Sequence, residues 1–301
     1  MKRPYSTLIR EFTDNLDVRS NSRALYHRIL CQFSQWVVIG GRNIRELKRS
    51  DILEYKASLL RDHKSENTID SYLTVLRMFY DWCEVIGEHE NIAAGIKVRH
   101  KRLGYRKEHL TTGQISKLYS VIETDTLIGR RDYAIINLML RTGLRCVEVS
   151  RIRVCDIQSG DVSYVRVQRK GDNDRSEKLG LTSKVLQPIT DYMSYRGVSD
   201  NEEYVFISHR SKTESTPLIP KTIGKIVASY LKLAGVYSRT ITAHSLRHTA
   251  AVQALLHKVP PKEVQLMLGH RSVKTTEVYL KSIEQEIRLS NPAVQALDDA
   301  F

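Results

Sequence analysis

The sequence is short of acidic residues, of paired cysteines and of long apolar runs. Its 301 residues carry 34 Asp and Glu against 47 Lys and Arg, a formal net charge of +13. Such a field favours polyanions, nucleic acid first and an anionic membrane second. No stretch approaches the roughly 18–20 consecutive apolar residues of a spanning helix. The opening "MKRPYSTLIREF" has basic residues but neither the apolar region nor the cleavage site of a signal peptide. The four cysteines, Cys31, Cys83, Cys146 and Cys155, form no CxxC pair and sit in apolar or helical contexts. They are expected to be reduced core thiols, and the chain to be cytoplasmic and nucleoid-associated, with no membrane partner. No repeat of about 20–50 residues appears.

What is present is enough for two ordinary domains. Hydrophobic residues make up 41% and charged residues 27%, which supports buried cores. The first stretch reads as four helices, over 6–16, 20–41, 45–63 and 65–87. The second has Leu25, Ile29, Phe33 and Trp36 at helical spacing and ends on Gly40-Gly41; the third offers Ser50 and Asp51 as N-caps; the fourth has Ile69, Leu73, Leu76 and Tyr80 on one face. This predicts a compact helical bundle over residues 1–90, a domain of its own. A basic interdomain linker is expected over 91–109, and Lys97, Arg99, Lys101, Arg102, Arg106 and Lys107 there are candidate DNA contacts.

A second domain is expected over 110–283. Segments 111–123, 130–143, 190–197, 222–235, 243–258, 260–270 and 273–282 read as helices, with Pro260 and Pro261 suited to a helix start. Residues 161–182 alternate as strand, polar turn and strand. The fold class is therefore mainly α with a small β-sheet. Residues 284–301 are a C-terminal tail.

Candidate chemistry gathers in the second domain. "TAHSLRHTAA" (242–251) holds His244, Arg247 and His248. The His244–His248 spacing suits zinc, but no carboxylate lies between them and Arg247 puts a cation on the same face. An anion clamp of Arg fork and imidazole N–H suits the types better. Taken alone, that clamp and a mere helix cap stay equally open. "RTGLRCVEVS" (141–150) places Arg145 just after a Thr-Gly break, with Glu148 three residues on. "QRKGDNDR" (168–175) sets Lys170 beside a glycine in the turn between the two strands. "LGHRSVKTTEVYL" (268–280) gives His270 and, nine residues later, Tyr279.

Together these four segments, in this order, resemble the tyrosine recombinase family, also called phage integrases. The arginine of "TGLR", the hairpin lysine, the His and Arg of "HxLRH", and "LGH" with its tyrosine correspond to Arg145, Lys170, His244 with Arg247, and His270 with Tyr279. The helical first domain and basic linker resemble the family's core-binding domain and hinge. Two departures stand out. Arg169 occupies a position where glycine is frequent, and the turn after Lys170 is longer and more acidic, with Asp172 and Asp174; Lys178 is the alternative lysine.

The resemblance implies a site-specific recombinase whose Tyr279 attacks a DNA phosphate and forms a 3′-phosphotyrosine. Arg145 and Arg247 would hold the non-bridging oxygens and Lys170 would protonate the leaving 5′-oxygen. His244 and His270 would hydrogen-bond the phosphate, with His244 a candidate acceptor for the tyrosine proton. Glu148 would orient a neighbour, and His248 is read as structural. No cofactor or metal is implied. The expected partners are double-stranded DNA with recombination sites, an accessory DNA-bending protein, and further copies of the chain in a tetramer that passes through a Holliday junction. Leu289, Val294, Leu297 and Phe301 in the tail are candidates for docking on a neighbouring protomer. The chain begins almost at the bundle, so it is expected to be of the two-domain Xer, invertase or mobile-element integrase type. A type IB topoisomerase-like enzyme, a catalytically dead binding module and a metal-dependent nuclease are the competing classes.

Overall fold

The computed structural model describes residues 3–97, 108–170, 172, 174–198, 200–209, 216–238, 240–270, 279–280, 283–284 and 297–298. The chain divides into two units, Met1–Leu103 and Gly104–Phe301.

The first unit contains α1 (Tyr5–Asn15), α2 (Ser20–Ile39), α3 (Arg49–Arg61) and α4 (Glu66–Val85). Each buries one stripe at helical spacing: Leu8, Ile9 and Phe12; Ile29, Leu30, Phe33 and Val37; Ile52, Tyr55 and Leu59; and a longer run from Ile69 to Cys83. Edge-on aromatic pairs lock the interior, with Phe33 to Tyr55 centroids 4.9 Å apart and Phe12 to Phe79 5.4 Å apart. Leu25 departs from the expected stripe: it is 37% exposed, and Leu30 takes its place in the core. The start of α3 also differs. The helix begins at Arg49, and Asp51 acts from the third position, its carboxylate accepting from the Lys48 N–H at 2.7 Å. At α4 the Ser65 hydroxyl caps the Thr68 N–H.

The expected linker is only partly outside this unit. Ile92, Ala93 and Ile96 are buried against the helices, because "NIAAGI" supplies apolar side chains that the surrounding basic residues mask in the sequence. Lys97 is exposed, and its carbonyl accepts from Lys56 Nζ. Arg99, Lys101, Arg102, Arg106 and Lys107 lie outside the described residues.

The second unit is built around α6 (Leu127–Thr142), whose residues from Ala134 to Leu140 are all buried. It packs against α8 (Ser183–Arg196), α9 (Pro220–Leu233) and α10 (Ala243–Leu256). α5 (Thr112–Ser120) precedes it, and α7 (Cys146–Val149) and α11 (Pro261–Leu268) complete the described α-helices. α8 starts well before residue 190 and runs through Pro188. A proline there removes the N–H that would serve the Lys184 carbonyl. The side chain of Asn137, from α6, donates to that carbonyl at 2.8 Å instead, which explains how the helix continues.

The hairpin expected over 161–182 is present as β2 (Tyr164–Val167) and β3 (Glu177–Gly180), antiparallel with Val167 opposite Glu177. A third strand, β1 (Ile157–Gln158), pairs on the other side of β2. Two residues of strand are too few to show a period, so no sequence pattern marks it. No described helix is long and apolar enough to cross a membrane.

Candidate active site

Two left-handed glycines set the frame. α6 stops at Gly143, with φ +68°, and α11 stops at Gly269, with φ +63°. A Cβ on Gly143 would lie 2.5 Å from the Leu268 side chain, and one on Gly269 would lie 2.5 Å from Arg169 Nε. Only glycine allows both the turn and the close approach.

The chain leaving Gly143 places Arg145 at the start of α7. Its backbone N–H donates to Glu148 Oε2 at 2.8 Å, and its guanidinium pairs with Oε1 at 2.8 Å. Glu148 is fully buried, while the Arg145 side chain is 27% exposed. The hairpin reaches the same carboxylate: the Lys170 N–H donates to Glu148 Oε1 at 3.3 Å. Glu148 thus joins Arg145 to the Lys170 backbone, and the Lys170 side chain stays exposed. Lys178 lies on β3 with its ammonium 4.8 Å from the centre of the Tyr164 ring.

Arg247, on α10, is buried. Its two terminal nitrogens donate to the Gly143 carbonyl at 2.6 Å and the Leu268 carbonyl at 2.7 Å, tying the ends of α6 and α11 together. Its Nε is also buried and has no acceptor among the described residues. Burial, then the charge of Arg145, lowers its pKa to about 10, so it remains a cation at neutral pH. His244 is exposed in the first turn of the same helix.

His270 follows Gly269 and is held from both sides by Gln265. Its N–H donates to the Gln265 carbonyl at 3.1 Å, and Gln265 Nε2 donates to the His270 carbonyl at 2.9 Å. Burial, then the neighbouring Arg247, Arg145 and Arg169, lowers the imidazole pKa to about 4. A neutral ring can donate one N–H to an anion without adding charge. Tyr279 is 3% exposed and packs with Ala251, Val264 and Leu268. Its ring stacks with His270 at 5.9 Å between centroids and lies 5.0 Å from His248.

His248 is buried, as a structural residue would be, yet it also faces Tyr279. Burial, then His109 and His244, lowers its pKa to about 4. His109 meets it edge-on at 5.7 Å. The roles of His109, Gln265 and Arg169 escaped sequence reasoning. For Arg169 a signal existed: "VRVQR" alternates, so Arg169 falls on the inward face with Val165 and Val167, where a cation needs partners. His109 and Gln265 carry no such local signal. Among the described residues, no three His, Cys, Asp or Glu side chains group as a metal site.

The arrangement gathers two guanidiniums, one neutral imidazole and a buried phenol, with a lysine on the adjoining hairpin. That set suits charge stabilisation at a phosphoryl group under attack by the phenol. The profile of the phage integrase family matches residues 108–286. The chain belongs to that family, the tyrosine recombinases. It is a site-specific DNA recombinase acting through a tyrosine intermediate. Over 259 residues this recombinase is 29% identical to a tyrosine recombinase of Pseudothermotoga lettingae, with 85% of each chain covered. It is 27% identical over 269 residues to the tyrosine recombinase XerD of Listeria monocytogenes, covering 86% of this chain and 87% of the relative. Among solved structures, the Tn1549 transposon integrase in complex with a circular intermediate DNA superposes with a TM-score of 0.73 at 18% identity, covering 94% of this chain and 98% of that one. XerH bound to its palindromic difH substrate in a post-cleavage complex gives 0.71 at 17% identity, covering 89% and 78%. At these identities the likeness is one of fold.

Proposed function

We propose that Tyr279 is the nucleophile of this recombinase and that Arg145, Arg247, His244, His270 and Lys170 complete its machinery. The observation that carries this reading is the buried Tyr279 ring stacked on His270 and facing His248, next to the Arg247 charge. Tyr279 Oη bonds to phosphorus as the bond from phosphorus to O5′ breaks. Arg145 and Arg247 neutralise the two non-bridging oxygens, and His270 and His244 donate hydrogen bonds. His244 accepts the phenolic proton, for which its exposed position on the first turn of α10 suits it. The Lys170 ammonium gives a proton to the departing O5′. Its backbone bond to Glu148 favours it over Lys178, whose ammonium lies over Tyr164. The 3′-phosphotyrosine conserves the ester, so a second 5′-hydroxyl can reverse the step on another strand.

The first unit serves as the core-binding domain on duplex DNA, with Lys97 and the basic residues after it contacting phosphates. The working assembly is a tetramer on two DNA sites, in the cytoplasm, with a DNA-bending protein assisting. The tail from residue 284 docks on a neighbouring protomer; deleting residues 290–301 should spare DNA binding and impair recombination between sites. Unchanged recombination would remove the tail from the assembly.

Covalent trapping tests the core of this reading. Nicked suicide duplexes from DNA flanking the protein's own gene are incubated in EDTA with wild type and Tyr279→Phe. A denaturant-resistant adduct is expected with wild type only. An adduct that persists in Tyr279→Phe would assign the nucleophile elsewhere.

A further inference from the structure

The mechanism leaves Arg169 unused, yet the structure buries it among several partners. Its position follows Val165 and Val167 on the inner face of β2, and it is 5% exposed. Nothing about a turn requires a buried cation. The guanidinium nevertheless has partners on three sides. Nε donates to Glu177 Oε2 at 2.6 Å, across the hairpin. Nη2 donates to the Met267 carbonyl at 3.1 Å, and Nη1 lies 3.5 Å from the Leu268 carbonyl, both at the end of α11. Nη1 also stands 3.6 Å from Glu148 Oε2. The guanidinium also approaches Gly269 closely, where a Cβ would come within 2.7 Å of Cζ.

These contacts join three pieces that are far apart in sequence. Glu148 holds Arg145, the end of α11 carries His270, and the residue after Arg169 is Lys170. A planar fork with five donors can serve all three at once, which a lysine cannot. Each contact fixes the backbone one residue before the amine that must reach the leaving oxygen. A hairpin strand tethered only through its own ladder would leave Lys170 on an exposed turn, free to swing. With glycine at 169 no side chain would make the connection.

We propose that Arg169 is a positioning residue that latches the Lys170 hairpin to Glu148 and the end of α11, so that the general acid is held over the site. The proposal rests on the reading of Lys170 as that acid. Positioning matters at this step because misplacement by about 1 Å can cost roughly 10²-fold in rate.

The test compares two suicide duplexes in single-turnover cleavage: an ordinary one, and one with sulfur in place of the bridging 5′-oxygen. A thiolate leaves without a proton, so the sulfur duplex bypasses the general acid. Arg169→Gly should cleave the ordinary duplex about 10²-fold more slowly than wild type. It should cleave the sulfur duplex at the wild-type rate. Arg169→Lys should fall between on the ordinary duplex. Equal slowing on both duplexes would mean that Arg169 acts through the phosphate-binding groups, and no slowing would reduce it to packing; either overturns the proposal. Lys170→Ala is the control for the reading beneath. If sulfur fails to restore its rate, Lys170 is not the acid, and the proposal falls with that reading rather than alone. Circular dichroism checks each variant, and Arg169→Lys carries the same comparison should the glycine variant not fold.

Discussion

The two units bury different kinds of residue. Among the described residues of the first, no charged side chain is buried, and apart from tyrosine and cysteine the only buried polar one is Thr13. The second buries Arg131, Asp132, Glu148, Asp156, Arg169, Arg247, His248 and His270. An apolar core stabilises through area removed from water, whatever the pH. A core with charges in it holds only while each charge keeps its partner. The first unit thus rests on apolar burial, and the second carries the desolvation cost of buried cations and neutral imidazoles.

The sharpest way to break that contrast is to remove Glu148. Its carboxylate receives the Arg145 guanidinium and N–H, the Lys170 N–H, and the charge of Arg169. Glu148→Ala should cost the second unit about 3–5 kcal/mol, as removal of one partner from a buried ion pair does. Phe33→Ala should cost the first unit a similar amount, about 3–5 kcal/mol, through a cavity alone. Both tryptophans, Trp36 and Trp82, lie in the first unit, so their fluorescence follows that unit while far-ultraviolet dichroism follows both. Urea unfolding should show Glu148→Ala shifting the dichroism transition and leaving the fluorescence midpoint in place, and Phe33→Ala shifting the fluorescence midpoint. If Glu148→Ala moves both signals together, the units unfold as one and the contrast fails.

The sequence exposed these two halves unequally. Apolar spacing was sufficient for the four helices of the first unit, because a stripe of Ile, Leu and Phe has one physical use. It misplaced Leu25, since a stripe of helical spacing does not say where its edge lies. In the second unit the functional types were visible as short motifs, and Arg145, Glu148, Arg247, His270 and Tyr279 do come together. What stayed hidden were contacts made across long separations. Asn137 completing the helix through Pro188, and Arg169 reaching the end of α11, depend on neighbours that no local pattern names.

A smaller effect should appear with pH. His248 and His270 have folded-state pKa values near 4, below the unfolded value of 6.5. The unfolded chain therefore binds more protons between these limits, and stability falls as pH drops from about 6.5 toward 4, by up to about 1.4 kcal/mol per pH unit for each ring. Asp132 works in the opposite sense, since burial raises its pKa and its protonation favours the fold. His248→Phe isolates one ring: its dichroism midpoint in urea should decline less steeply over this range than that of wild type. The fluorescence midpoint should be the same in both proteins, because none of the described histidines of the first unit is buried. Parallel slopes for wild type and His248→Phe would show that this ring is already protonated in the fold or titrates alike in both states.

The smallest effect separates two lysines of one hairpin. Lys178 stands over the Tyr164 ring on an exposed strand, a contact of about 0.5–1 kcal/mol at such sites. Lys170 has no ring beneath it among the described residues, and its backbone is bound to Glu148. Lys178→Ala should therefore lower the second unit's midpoint slightly and leave single-turnover cleavage at the wild-type rate. A Lys178→Ala protein that cleaves the ordinary duplex slowly but the sulfur duplex at full rate would transfer the acid role to Lys178. The backbone bond to Glu148 and the latch at Arg169 would then serve only to hold the strand. The contrast between the units would survive that result, because it depends on which charges are buried and not on which exposed lysine gives the proton.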